Sequence, residues 1–359
     1  MIGSAHTAGI TPVSARLSGI EASRGVAALL VVLFHVSRHL DHGPGAPLLR
    51  GVFQFGHAGV DFFFVISGFI ILFVHFDDIG RPSRLAHFME RRITRLIPVY
   101  WVALALTAGL MLAGHQALPS LFDVIRDAAL VPYNGDMFLY IAWTLRFEAL
   151  FYILFAMVIV NRTAGMAAMG LWFLTSAAFP SKDTDILGLP TLFHDIFSLE
   201  FLLGMTGALL VRRWTIPRPH WIFTAGVLCF AIAAMIEDYG VEGGYGRMAR
   251  FYYGVPSTLI VVGLAEIDRR FQPRMPALAR IMGSASYSIY LFQFVFIGVA
   301  WQAMIGSGFD LVTPVIVQFV LLVFAALAGG VAMSVYVEYP LMALIRKRRA
   351  VGRSAAPAG

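Results

Sequence analysis

An arginine and a histidine in the first apolar run are the residues whose types and spacing most clearly suggest chemistry. The run R-G-V-A-A-L-L-V-V-L-F-H begins at Arg24, ends at His35 and carries no other ionisable side chain. In an α-helix these positions are about three full turns apart, so both side chains would lie on one face, separated by ~16 Å along the axis. Ionisable side chains within a membrane span are costly and suggest a functional site. The alternative is that Arg24 is only a cytoplasmic anchor and His35 a hydrogen-bonded packing residue.

Two carboxylates in apolar runs could orient this histidine. Asp61 opens the run D-F-F-F-V-I-S-G-F, where a lone carboxylate needs a partner. Placed beside His35, it would orient the imidazole and raise its basicity, as expected of a general base. Otherwise Asp61 lies in the wet interface. Glu148, in W-T-L-R-F-E-A-L-F-Y, is the second candidate, unless it pairs with the nearby Arg146.

Three arginines after the second apolar run form a basic cluster at the predicted cytoplasmic face. Arg91, Arg92 and Arg95 lie within H-F-M-E-R-R-I-T-R-L-I-P-V-Y-W. Guanidinium groups bind phosphate through paired hydrogen bonds. Together with Arg24 at the same membrane level, the cluster could bind a phosphorylated cytosolic cosubstrate. The alternative is attraction to anionic lipid headgroups.

Polar side chains near the start of the fourth span and late in the chain could line a cavity between helices. In S-A-S-Y-S-I-Y-L-F-Q-F they recur at helical spacing, although such residues often only hydrogen-bond neighbouring helices. With one cysteine, Cys229, and no metal-binding motif in the sequence, no metal is expected. The predicted cavity residues are Trp143, Ser286, Tyr287, Tyr290, Gln293 and Glu338.

These residues require a helical membrane bundle to position them. Of the 359 residues, 58% are hydrophobic and only 13% are charged, and the mean hydropathy is +0.76. Soluble domains carry about 25% charged residues. Apolar runs of about 20 residues recur, as transmembrane helices require. We therefore predict an all-α polytopic bundle of about ten transmembrane helices, with spans near 22–40, 58–76, 96–114, 140–160, 164–180, 192–211, 221–237, 252–267, 284–304 and 312–344.

The distribution of basic residues predicts the orientation of this bundle. With both termini cytoplasmic, most of the 27 lysines and arginines fall on the cytoplasmic side, as the positive-inside rule requires. The net charge of +6 is thus explained by topology, and a nucleic-acid partner is not expected. We predict a poorly ordered N-terminus at 1–18, a transmembrane domain at 19–345 and a basic cytoplasmic tail at 346–359.

Taken together, the motifs resemble acyltransferase family 3, the bacterial inner-membrane O-acyltransferases that modify exopolysaccharide, lipopolysaccharide and other acceptors. They run in the family order over nearly the whole chain. The matching segments are R-x10-H from Arg24 to His35, G-V-D-F-F-F-V-I-S-G-F at 59–69, R-R-I-T-R-L-I-P-V-Y-W at 91–101, W-T-L-R-F-E-x-x-F-Y at 143–152, S-Y-S-I-Y-L at 286–291 and E-Y-P at 338–340.

The resemblance implies ten spans, a cytosolic acetyl-CoA donor and a requirement for Arg24 and His35 in acyl transfer. It further implies O-acetylation of a glycan or glycolipid by a protein of the short exopolysaccharide-acetylase type. One position departs from the pattern, because members often have histidine where this chain has Gln293. A glutamine cannot carry a proton in transfer, but it can form a hydrogen bond.

Our hypothesis is that His35, oriented by Asp61 or Glu148, deprotonates an acceptor hydroxyl that attacks the thioester. The coenzyme phosphates would lie near the arginines, and the pantetheine arm would run along the face of the helix that carries Arg24 and His35. A transporter or flippase of a glycan or lipid intermediate is the rival class. It explains buried charges in a bundle, but not an arginine cluster at one end.

Overall fold

The computed structural model describes residues 17–40, 45–179, 190–238 and 247–354, and within these ranges it contains helices and no β-strand. The predicted all-α class is therefore confirmed. The physical reason is that apolar runs within hydrocarbon have no water to satisfy backbone N–H and C=O groups, and a helix satisfies them internally. The predicted N-terminal segment 1–18 lies outside the described residues except for its last two positions.

Fourteen α-helices are present in the described residues, joined by short 3₁₀ helices such as Gln54–Ala58 and by a π-helical turn at Ser334–Glu338. The α-helices are α1 Ser18–His39, α2 Ala46–Val52, α3 Gly59–His75, α4 Leu85–Ala113, α5 Leu121–Ala128, α6 Trp143–Val160, α7 Arg162–Ala178, α8 Ser198–Arg213, α9 Pro219–Asp238, α10 Arg247–Phe271, α11 Ala277–Gly306, α12 Phe309–Val312, α13 Val315–Met333 and α14 Tyr339–Ser354.

Eight helical segments in the described part of the chain are long and apolar enough to cross a membrane. They are Ser18–His39, Gln54–Asp78, Pro82–Ala113, Tyr140–Val160, Thr191–Arg213, Pro219–Glu237, Ala277–Gly306 and Val315–Arg349. The two other predicted spans also form helices, but α7 has only 17 residues and α10 carries charged residues near both ends. The multi-pass membrane bundle is confirmed, whereas ten crossings with both termini in the cytoplasm remain a prediction.

Helix α1, which carries Arg24 and His35, packs closely against α11 and α3. A Cβ atom added at Gly283 of α11 would lie 2.2 Å from the carbonyl oxygen of Glu21 in α1. A Cβ atom at Gly59 of α3 would lie 2.4 Å from the carbonyl oxygen of Ala27. Only glycine permits such approaches. The level of α1 relative to its two neighbours is therefore fixed.

A carboxylate from α10 caps the beginning of α1. The backbone N–H of Gly19 donates to both oxygens of Asp268, at 3.0 and 2.8 Å, and Ile20 donates to one of them at 3.3 Å. These N–H groups belong to the first turn, where no carbonyl is available within the helix, and the negative charge also complements the helix dipole. This cap fixes the depth at which Arg24 enters the bundle.

Candidate active site

A cavity between α1, α3, α4, α6 and α11 collects many of the predicted site residues. About 80 Å³ is open to the centres of water molecules, which is room for several waters at ~10–15 Å³ each. Apolar side chains of α3 form one wall, and the other walls are largely polar. The polar lining residues are Arg24, Ser67, Arg92, Arg95, Thr144, Glu148, Tyr152, Ser286, Tyr287 and Tyr290.

Two of the lining arginines lack a direct hydrogen-bond or ion-pair partner in the part of the chain that the structure describes. Within the described residues, neither Arg24 nor Arg95 makes a hydrogen bond or ion pair. Arg24 is only partly exposed and lies within electrostatic reach of Arg95 as well as of Glu148 and Glu338. Arg95 is exposed. Two cations that repel each other across a cavity and form no ion pair favour an anionic ligand.

The two other predicted arginines differ from each other. Arg92 lines the cavity, donates to Nε2 of His75 at 3.1 Å and lies over the ring of Tyr152. His75 in turn hydrogen-bonds Asp78 at 2.8 Å. Arg91 is exposed and does not line the cavity. Three of the four predicted donor-binding arginines therefore converge on one cavity.

Glu148 faces the cavity, and the alternative pairing with Arg146 is wrong. Its carboxylate accepts a hydrogen bond from the hydroxyl of Tyr152, one turn later on α6. Arg146 points elsewhere, with Nη2 at 3.2 Å from Asp127 and its guanidinium 3.9 Å from the ring centre of Tyr133. Glu148 is thus a negative group within a largely cationic cavity.

His35 lies outside the cavity lining and contacts α11. Its Nδ1 is 3.0 Å from Oε1 of Gln293, and its ring packs 4.6 Å from that of Phe294. Gln293 is fully buried, and its Nε2 donates to the carbonyl oxygen of Tyr290 at 2.8 Å. With the amide nitrogen engaged, Oε1 must accept from Nδ1–H, which leaves the lone pair on Nε2. This tautomer is the one that a general base acting through Nε2 requires.

The predicted contact between Asp61 and His35 is wrong. Both oxygens of Asp61 accept from Nη1 of Arg250 at 2.6 Å, and both side chains are buried. Glu200 of α8 is also buried and lies within electrostatic reach of both Asp61 and Arg250. A guanidinium that matches the charge of Asp61 satisfies it better than a neutral imidazole can. Neither candidate carboxylate hydrogen-bonds His35 in the part of the chain described, and Gln293 takes that place.

Three of the predicted cavity residues on α11 line the cavity. The hydroxyl of Ser286 is fully buried and has no hydrogen-bond partner among the described residues. The hydroxyl of Tyr287 donates to the carbonyl oxygen of Leu96 at 2.7 Å. The hydroxyl of Tyr290 lies 2.8 Å from that of Thr144 and closes the cavity between α11 and α6. Of these three hydroxyls, that of Ser286 alone lacks a hydrogen-bond partner within the described residues, so a ligand could satisfy it.

The other predicted cavity residues do not line it. Trp143 packs on Phe197, with ring centres 5.1 Å apart. Glu338 accepts hydrogen bonds from Ser288 at 2.6 Å and Ser334 at 3.1 Å, so it joins the π-helical turn to α11. Gln293 contacts His35 instead. Trp143, Gln293 and Glu338 therefore lie outside the cavity lining, and each contacts other parts of the bundle.

Sequence reasoning missed Arg250 and three lining residues, Ser67, Thr144 and Tyr152. A basic residue near the end of a predicted span is the one signal that could have indicated a partner for Asp61. The three lining residues carry no such signal, because hydroxyl groups are common in membrane helices.

The fold and the site define the class of the protein as a multi-pass membrane protein that has a largely cationic cavity between its helices and a histidine in the tautomer of a base. Comparison with known sequences identifies the family. The model of the family described as an acyltransferase domain matches residues 17–335. The chain therefore belongs to acyltransferase family 3, and it is a membrane O-acyltransferase. The transporter alternative loses its support.

Several curated proteins resemble the chain over much of its length. The exopolysaccharide production protein ExoZ of Rhizobium meliloti (strain 1021) is 28% identical over 339 residues, covering 89% of this chain and 96% of the relative. The acyltransferase MdmB of Streptomyces mycarofaciens is 27% identical over 387 residues and is covered to 96%, as is this chain. A putative O-acetyltransferase of Staphylococcus aureus (strain COL) is 29% identical over 163 residues, 40% of this chain and 25% of the relative. No solved structure matches.

Proposed function

We propose that the protein moves an acyl group, acetyl in the simplest case, from acyl-CoA to a hydroxyl of a glycan or glycolipid at the bacterial cytoplasmic membrane. The observation that carries this proposal is the pair of guanidinium groups of Arg24 and Arg95, which line the cavity and make no hydrogen bond or ion pair within the described residues. A membrane protein keeps such charges only where a ligand or water compensates them. The phosphates of coenzyme A are anions of the required kind.

The donor would bind with its phosphates at the arginines and its thioester towards His35. Arg24 and His35 are on one helix, ~16 Å apart along its axis. Phe63 and Tyr290 lie in ring contact at 5.7 Å in the cavity wall, and Tyr290 is one turn before Gln293 on α11. The pantetheine arm would pass these two rings to reach His35.

His35 acts as the general base in this proposal, and Gln293 positions it. The hydrogen bond from Nδ1–H to Gln293 fixes the tautomer and the ring plane. The proton of the acceptor hydroxyl passes to Nε2, and the oxygen attacks the thioester carbonyl carbon. When the C–S bond breaks, the imidazolium returns the proton to the thiolate of coenzyme A. Base catalysis of this kind contributes about 10²–10⁴-fold in rate.

The acceptor class rests on relatives. The Rhizobium relative is named as an exopolysaccharide production protein, and the staphylococcal relative is named as a putative O-acetyltransferase. A hydroxyl of a glycan or a glycolipid such as lipopolysaccharide fits both names and the chemistry above.

The test is complementation of a gene deletion with wild type, His35→Ala or His39→Ala. The control residue His39 is exposed, lies one turn further along α1 and packs on Trp301. Ester-linked acetyl groups on isolated surface glycans would be measured by NMR, and the amounts of each protein in the membrane by immunoblotting.

We expect wild type and His39→Ala to restore the ester signal and His35→Ala to leave at most about 1% of it. Equal restoration by His35→Ala at equal protein levels would contradict the role of His35. Absence of any ester in the wild-type strain, together with no label transfer from acetyl-CoA to any lipid or glycan in membranes, would contradict the proposed function.

A further inference from the structure

A second and larger cavity is an apolar groove on the far side of α1 from the candidate active site. It has a volume of about 870 Å³ and runs between α1 and α9, with α10 behind it and the start of α11 at one end. Along α1 it extends from Gly19 to Leu30, ~16 Å, and along α9 from Phe223 to Met235, ~18 Å. Val26 and Val227 on its two edges are 55% and 42% exposed, so the groove opens sideways from the bundle.

The groove exists because α9 is fixed to α10 and not to α1. A Cβ atom at Gly226 of α9 would lie 2.8 Å from the backbone nitrogen of Ile260 in α10. A Cβ atom at Gly263 of α10 would lie 2.7 Å from the backbone nitrogen of Phe223 in α9. These contacts fix the distance between α9 and α10, and the apolar side chains of α1 and α9 leave a gap between them.

Water is a poor occupant of this gap. A buried water needs two to four polar partners, and the only polar side chain in the lining is that of Ser23. Its hydroxyl already donates to the carbonyl oxygen of Ile20 at 2.9 Å. The two helices that border the groove are both long and apolar enough to cross a membrane, where lipid chains surround the helices. The physical properties of the lining therefore select a hydrocarbon chain.

The exposed arginines indicate at which end of the groove a lipid headgroup would lie. Arg274 and Arg280 are exposed, flank the lining residues Met275 and Ala279, and make no ion pair in the described residues. Arg218, also exposed, precedes α9.

Other side chains also indicate that a headgroup would lie at this end of the groove. Trp221 is 72% exposed beside the start of α9, as expected at the membrane interface. At the opposite end, Glu237 is engaged by His57 and Tyr253, and Arg38 by Gln54. The arginine-rich end is the one predicted to face the cytoplasm.

We propose that this groove binds one acyl chain of an anionic phospholipid of the cytoplasmic leaflet, with the phosphate at Arg218, Arg274 and Arg280. Basic clusters beside membrane helices on this side attract such headgroups. The lipid fills the gap between α1 and α9 and supports α1 on the face opposite the site. The proposal does not depend on the proposed function.

The headgroup is tested by lipid titration. The purified full-length protein, stripped of lipid by detergent exchange, would be titrated with phosphatidylglycerol or phosphatidylcholine and observed by native mass spectrometry. We expect phosphatidylglycerol to bind at least about tenfold more tightly. Arg218→Gln/Arg274→Gln/Arg280→Gln should remove this preference, at about fivefold per arginine. The control Arg346→Gln/Lys347→Gln/Arg348→Gln removes the same charge from α14 and should keep it. Equal binding of both lipids by the wild type, or equal loss of preference in both triple variants, would overturn the headgroup assignment.

The proposed binding of a lipid acyl chain is tested by filling the groove with a larger side chain. Val227→Trp places an indole in the groove, whereas Leu228→Trp places it on the adjacent, 58% exposed position outside it. We expect Val227→Trp to retain at most about a tenth of the phosphatidylglycerol bound by wild type and Leu228→Trp to bind as wild type does. Size-exclusion profiles of both variants establish that they are folded. If Val227→Trp misfolds, the smaller Val227→Phe replaces it with the same expectation. Undiminished binding by a folded groove-filled variant would overturn the proposal.

Discussion

The charged side chains that line the cavity differ from the buried ion pairs of Asp61 and Asp127 in how their charges are compensated. Asp61 is paired with Arg250, and Asp127 with Arg146, at distances of 2.6 and 3.2 Å, and all four side chains are buried. In the cavity, by contrast, Arg24 and Arg95 have no partner among the described residues. Paired ions join helices, because removal of either partner leaves a buried charge. Unpaired cations that face a cavity are available to an anionic ligand.

The largest effect is expected from breaking a paired charge. Arg250→Gln should destabilise the protein by about 3–5 kcal/mol, because Asp61 would remain buried without a counter-ion. Thermal unfolding in detergent measures this as a large decrease in the transition temperature. Arg24→Gln is the matched control and should leave the transition temperature near that of wild type. Equal decreases in the two variants would mean that Arg24 is also structural.

A smaller effect is expected at Gln293, which contacts the proposed base but not the cavity. Gln293→Leu removes the acceptor for Nδ1–H, and we expect kcat to fall about tenfold with little change in the KM for the donor. Gln293→Glu should retain more activity, with the acidic limb of its pH–rate profile moved to higher pH, because a carboxylate stabilises the protonated imidazole. A purely structural role for Gln293 would leave the pH profile of the glutamate variant unchanged.

The smallest effect is expected at Ser286, whose hydroxyl is buried in the cavity and has no hydrogen-bond partner among the residues that the structure describes. Removing a hydroxyl without a partner has little effect on stability, so Ser286→Ala should unfold within about 1 kcal/mol of wild type. Activity at low donor concentration should fall about threefold to tenfold if the hydroxyl binds the donor, since one hydrogen bond contributes about 1 kcal/mol. Unchanged activity would exclude Ser286 from donor binding.

The sequence predicted the parts of the site that depend on spacing within one helix. Arg24 and His35 are both on α1, and the helical arginine cluster on α4 contributes two residues to the cavity. Contacts between distant helices were not predictable in this way. Arg250 is 189 residues from Asp61, and nothing in the local pattern around Asp61 distinguishes a partner on α1 from one on α10.

Gln293 is a second residue whose contacts could not be predicted from the sequence. Its departure from the family pattern was visible in the sequence, but its role was not. The structure places it on α11, where an interhelical hydrogen bond to His35 uses the side-chain oxygen and a bond to Tyr290 uses the nitrogen. The orientation of an amide depends on both neighbours, so a pattern along one helix does not reveal it.

The most direct test of the central claim is the binding of coenzyme A to the purified full-length protein, measured by isothermal titration calorimetry. Wild type would be compared with Arg24→Gln/Arg95→Gln and with Arg91→Gln/Arg346→Gln, which removes the same charge from exposed positions outside the cavity. We predict that Arg24→Gln/Arg95→Gln binds coenzyme A at least about 100-fold more weakly than wild type, because a hydrogen bond to a charged group contributes about 1.5–3 kcal/mol. Arg91→Gln/Arg346→Gln should bind within about threefold of wild type. Equal affinities for all three proteins would contradict the assignment of the unpaired arginines to the donor.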